Sequence, residues 1–145
     1  PPQIEPVLPV RLKIRVLSGS CLPKPNGAKT GETIDPYVTI TVHDVKKGEG
    51  TTPSYVSSTF STATVNDNGF CPVWNEKAKE FTVSSPGVAM VQFSLKESDI
   101  ALDDKVGEAA IPVNCLRKGY RSSQLYDLNN TRTGAFSPSI IHISE

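Results

Sequence analysis

An excess of one charge sign is missing: fifteen Lys+Arg balance fifteen Asp+Glu over 145 residues. Nucleic-acid binders usually carry a basic excess that neutralises phosphates, so that class is set aside. Long apolar runs are missing too. None approaches the roughly 18 residues of a membrane span. Cysteine is scarce. Cys21, Cys71 and Cys115 make an odd count with no CxxC pair, which excludes a disulfide framework and a zinc site of standard spacing. Their expected state is three reduced thiols in the cytoplasm. The opening PPQIEPVLP has neither the basic nor the apolar segment of a secretory signal. Also absent is any sustained i, i+3, i+4 apolar stripe, so helix is minor.

What is present is alternation. Val10, Leu12, Ile14 and Val16 interleave with Arg11, Lys13 and Arg15, the period-two pattern of a half-buried strand. Val38, Ile40 and Val42 repeat it against Thr39, Thr41 and His43, and Val91, Phe93 and Leu95 repeat it against Gln92, Ser94 and Lys96. Weaker strands are expected over 55–59, 79–83, 107–111, 123–128 and 139–144. Eight short strands separated by Gly, Pro, Asn and Ser turns predict an all-β, eight-stranded antiparallel β-sandwich. Residues 1–9 contain four prolines and read as a linker. Residues 10–145 form one domain. Ile141 and Ile143 read as core strand, and Trp74, the single tryptophan, reads as core. His43 and His142 have no nucleophile motif near them and read as structural.

Three connections are long: 18–34, 65–72 and 97–105. In a sandwich such loops can meet at one end, and long loops in a compact domain usually serve function. The third concentrates Glu97, Asp99, Asp103 and Asp104. Asp35 closes the first, just before the strand that starts at Pro36. Hard cations such as calcium take six to eight oxygen ligands, so these carboxylates are a candidate cup for a divalent ion. Ile100 and Leu102 form an apolar tip between them. The tip is read either as a wedge entering a membrane interface once the acidic charge is cancelled, or as a segment folded back on the first loop. Lys24 and Lys29 in the first loop are candidate contacts for lipid headgroups. So are Arg11, Lys13 and Arg15 on the outer face of the first strand.

RLKIRVLSGSCLPKPNGAKTGETIDPYVTITVHDV resembles the opening of a C2 domain. The likeness is to the C2 domain of eukaryotic phosphoinositide-specific phospholipase C. It continues through NGFCPVWNE and VAMVQFSLKESDIALDDKVGEAAIPVNCLRKGYRS and ends in SPSIIHIS. The resemblance implies the phospholipase-type sandwich topology with three calcium-binding loops at one end. It puts calcium ligands on Asp35, on a carbonyl near Asn68, on Glu97 and Asp99, and on Asp104 or, after a one-residue shift, Asp103. Glu97 stands where the family usually has Asp, and the third loop is one residue shorter, so weak or partial calcium binding is expected. In the tryptophan motif, Cys71 replaces Asn and Asn75 replaces Asp, departures that bear on packing and loop shape.

The implied function is a cytoplasmic, peripheral membrane-targeting module that binds anionic phospholipid through calcium. The alternative is a calcium-independent interaction module that docks on another domain or a protein partner. The chain offers no acid–base pair, nucleophile elbow or phosphate loop, so no catalysis is expected of it. The segment before Val10 lacks the family's usual hinge. The expected parent is therefore a divergent phosphoinositide phospholipase C or a non-catalytic protein carrying the same domain.

Overall fold

The computed structural model describes residues 9–20, 22, 34–46, 52–66, 69, 71–98, 104–126 and 132–144, with the backbone alone for 104 and 132–144. Among the described residues nine strands run in the order β1 Val10–Ser20, β2 Pro36–Lys46, β3 Ser54–Ser61, β4 Lys79–Val83, β5 Met90–Glu97, β6 Asp104–Pro112, β7 Gly119–Tyr120, β8 Ser123–Tyr126 and β9 Arg132–Ser144. Among the described residues the only helical element is a 3-10 turn at Val113–Cys115. Every expected strand is present. The two-residue β7 is an addition: Gly119 and Tyr120 pair with Ile140 and Ser139, a match too short to register as periodicity.

All pairings among the described residues are antiparallel, and the hydrogen-bonded path is β3-β2-β5-β6-β8-β9-β1-β4. The path folds into two facing layers. Among the described residues β3-β2-β5-β6 and β8-β9-β1-β4 are joined along the path by a single pairing, Glu108 with Tyr126. The first strand lies between the last strand and β4.

The alternation in the sequence is what closes the two layers. Leu12, Ile14 and Val16 of β1 are at most 1% exposed, and so are Val38, Ile40, Phe93 and Leu95 of the opposite layer. Each such side chain contributes about 1.5–3 kcal/mol by leaving water. Phe81, Val83, Val91 and Leu125 complete the centre. The side chains of Ile141, Ile143 and His142 lie outside the described residues.

Two expected loop boundaries move. β1 extends through Ser20 because Ser18, Gly19 and Ser20 pair with Ser137, Phe136 and Ala135 of β9. The first connection therefore starts after Ser20 rather than at Ser18. Glu97 pairs with Pro36 on one side and Asp104 on the other, which makes both acidic residues strand ends and shortens the third connection to 98–103. Sheet hydrogen bonding overrides the loop-like composition in both places.

Candidate functional site

The site is built from strand ends. Pro36 opens β2, a position where a missing N–H is tolerated. Its cross-strand neighbour Glu97 closes β5, and the neighbour of Glu97, Asp104, opens β6. Antiparallel partners are about 5 Å apart at Cα, so one row across three strands holds the chain positions of two carboxylates, with Asp35 one residue from it. The Asp35 carbonyl accepts the Ser98 N–H at 3.0 Å, which ties the end of the first connection to the start of the third. Glu97 continues the inward parity of Phe93 and Leu95 and is half-buried at the rim of the core.

The second connection reaches the same end. The Val65 N–H donates to the Pro36 carbonyl at 3.1 Å, and the Leu22 N–H to the Gly69 carbonyl at 2.9 Å. Thr62 is buried and accepts the Val38 N–H on Oγ1 at 3.0 Å. Gly69 lies directly against Ile34: a Cβ at Gly69 would sit 2.7 Å from Ile34 Cγ1. Trp74 is buried, as expected, and its indole N–H donates to the Pro36 carbonyl at 3.2 Å. Its own N–H and that of Asn75 both donate to the Leu17 carbonyl, at 2.8 and 3.0 Å. Asn75 holds φ at 39°, a left-handed conformation that Asn accepts more readily than most side chains. All three connections thus converge on one end of the sandwich.

Of the expected cation ligands, Asp35 and Glu97 have neighbouring backbone positions here. Asp104 is placed by its backbone, and Asn68, Asp99 and Asp103 lie outside the described residues. Among the described residues no group of three or more His, Cys, Asp or Glu could hold a metal ion. Asp35 and Glu97 carry carboxylate oxygens, the donor type that hard cations take. Ile100, Leu102, Lys24 and Lys29 also lie outside the described residues. Arg11, Lys13 and Arg15 face outward on β1, along the side of the sandwich rather than at the loop end. Arg11 Nε lies 3.6 Å from Glu80 of β4, with both side chains largely in water.

Two features were invisible to composition. Asp44 shares the inward parity of Val38, Ile40 and Val42 and is buried. It lies eight residues beyond Pro36 along β2, about 27 Å away at strand rise. Its carboxylate accepts the N–H groups of Ser84 and Val45 at 2.7 Å and of Ser85 at 3.0 Å. The Ser85 hydroxyl donates to the Val45 carbonyl at 2.7 Å. This end of the fold is stapled by a buried anion, and its parity in β2 was the available signal.

The second feature is a polar ladder across the outer face of β3, β2, β5 and β6. Tyr55 OH meets His43 Nδ1 at 2.5 Å, and His43 Nε2 meets Gln92 Oε1 at 2.8 Å. Gln92 Nε2 donates to Glu108 at 2.9 Å, and Lys105 donates to the same carboxylate. Because Gln92 presents its oxygen, His43 carries a proton on Nε2. The Lys105 hydrogen bond holds the Glu108 carboxyl below the ordinary value of 4.5, against a smaller opposing effect of burial. These contacts hold His43 within the ladder, in keeping with a structural role for it.

The sequence profile of the C2 domain family matches residues 10–128. This chain belongs to the C2 domain family. The C2 domain is 36% identical over 123 residues to the mouse protein "Inactive phospholipase C-like protein 2", a match covering 84% of this chain and 10% of that protein. It is 35% identical over 122 residues to the rat "1-phosphatidylinositol 4,5-bisphosphate phosphodiesterase delta-1", covering 83% of this chain and 15% of that protein. The chain therefore spans a small part of the relatives it matches. Among solved structures, a C2 domain of plant extended synaptotagmin 1 superposes with a TM-score of 0.64 at 18% identity, covering 96% of this chain and 99% of that one; that likeness is one of fold. C2 domains are non-catalytic modules, so the chain itself carries no active site.

Proposed function

We propose that this C2 domain is a peripheral membrane-targeting module whose loop end holds calcium and docks on anionic phospholipid. The supporting observation is the convergence of three connections on one end, with Asp35 and the half-buried Glu97 at its rim. Asp35 and Glu97 hold the ion together with Asp99, Asp104 or Asp103, and a carbonyl near Asn68. Bound calcium supplies positive charge where carboxylates would otherwise repel a phosphate surface. Ile100 and Leu102 then enter the interface, and Lys24 and Lys29 meet headgroups beside it. The domain works in the cytoplasm and visits the membrane reversibly. One relative is named for phosphodiesterase activity and another is named inactive, so membrane targeting serves either kind of parent.

Glu97 favours a second reading. Its extra methylene changes the reach of a ligand that is Asp elsewhere in the family, and a loop end that has lost calcium would leave a calcium-independent docking module for a protein or a neighbouring domain. Vesicle sedimentation separates the two. Phosphatidylcholine vesicles with 20–30% phosphatidylserine should pellet the domain with calcium and release it with chelator. Retention in the supernatant under both conditions refutes the membrane reading.

A further inference from the structure

A second anion-binding surface lies on the side of the sandwich. Two basic segments about a hundred residues apart in sequence are brought to it by β9. Ser139 of β9 pairs with Arg15 of β1 on one side and with Tyr120 of β7 on the other. Directly opposed residues in an antiparallel ladder point to the same face, so Arg15 and Tyr120 share the outer face two strand spacings apart, about 10 Å. Tyr120 is 83% exposed. Flanking it, Arg117, Lys118 and Arg121 are all exposed, and none has an ion pair among the described residues. A cavity of about 200 Å3 adjoins them, lined by Ile111, Cys115, Leu116, Arg117, Arg121 and Ser122.

One further atom points to a ligand. Nε of Arg15 is buried and has no hydrogen-bond partner among the described residues. A desolvated donor on a permanent cation is costly to leave unmatched. The neutral total charge conceals this concentration of cations: three in the five residues from Arg117 to Arg121, with Arg15 across the sheet.

We infer that Arg15, Arg117 and Arg121, assisted by Lys118 and the Tyr120 hydroxyl, form a calcium-independent site for a phosphate monoester. Guanidinium forks match phosphate oxygens in a plane, and a rotation of the Arg15 side chain that brings its buried Nε–H to the surface lets a phosphate supply the acceptor it lacks. The site lies on a different face from the calcium-binding loop end and does not depend on it. A soluble phosphorylated metabolite and a phosphorylated lipid headgroup present the same chemistry.

The test is an NMR titration of the 145-residue chain with inorganic phosphate in the presence of calcium chelator. The expected result is movement of the Arg15 Nε–H signal and the amides of Arg117 to Ser122, with Asp35 and Ser98 unmoved. Arg121→Gln, an exposed change, and Arg15→Gln should each weaken the response about tenfold. Vesicles of phosphatidylcholine with 5% phosphatidylinositol 4-phosphate, again in chelator, identify the source: sedimentation assigns the site to a lipid headgroup, and none assigns it to a soluble phosphate. A titration that leaves these signals in place, or one insensitive to Arg121→Gln in a folded variant, overturns the inference. Because calcium is absent throughout, its outcome is separate from that of the loop end.

Discussion

Replacing Asp44 with alanine removes an acceptor on which the far end of the fold depends. Three backbone N–H groups converge on that carboxylate, two of them from Ser84 and Ser85 in the β4–β5 connection, some forty residues away in sequence. A hydrogen bond to a charged group contributes about 1.5–3 kcal/mol, and a buried donor left alone costs a similar amount. Ser84 and Ser85 are only half-buried, so water can reach their amides and the lower end applies to each. The sum is about 3 kcal/mol for Asp44→Ala. With a urea slope of about 2 kcal/mol per molar, the unfolding midpoint falls by about 1.5 M. Asp44→Asn keeps one oxygen acceptor but turns a donor toward donors, and should lose about half as much. Urea unfolding followed by Trp74 fluorescence reads this well, because the indole sits at the opposite end of the sandwich and reports the whole cooperative unit. A midpoint shift below about 0.3 M for Asp44→Ala refutes the staple.

Gly69→Ala should destabilise the domain by about 1–3 kcal/mol, because the new methyl would overlap Ile34, which is buried in the core; an unchanged urea midpoint contradicts this. Trp74→Phe should cost about 1 kcal/mol or more, since it removes one of the two hydrogen bonds to the Pro36 carbonyl and loses ring contact, and thermal unfolding measures it. The depressed Glu108 carboxyl adds stability that is fully present above its unfolded value of 4.5 and is lost as pH falls through its lower folded value. Lys105 and Glu108 are both more than a third exposed, so solvent screening keeps the effect below about 1 kcal/mol. Lys105→Met should lower the melting temperature near neutral pH and lose that penalty below the acid transition. An equal penalty at both pH values would show that the pair is not the cause.

The fold was legible because its core lies on regular alternation. Leu12, Ile14 and Val16, then Val38, Ile40 and Val42, then Val91, Phe93 and Leu95 declare their strands and their buried faces together. The meeting of three connections was legible from their lengths and acidic content. The exact rim was not: Ser18 to Ser20 and Glu97 look like loop, and only pairing with β9 and β2 makes them strand. Asp44 was passed over because an inward carboxylate is a poor expectation until the amides that satisfy it are placed, and those come from a distant segment. Gly69 needed the position of Ile34. The side surface needed a register through β9, since nothing in the sequence puts Arg15 in line with Tyr120.

The central claim is that the loop end binds calcium through Asp35 and Glu97. Calorimetric titration of the domain with calcium, beside Asp35→Asn, tests it most directly. Saturable binding that weakens at least about tenfold in Asp35→Asn is the predicted result, as expected for loss of a charged oxygen ligand. No heat of binding up to millimolar calcium, or equal binding by the two proteins, would contradict it.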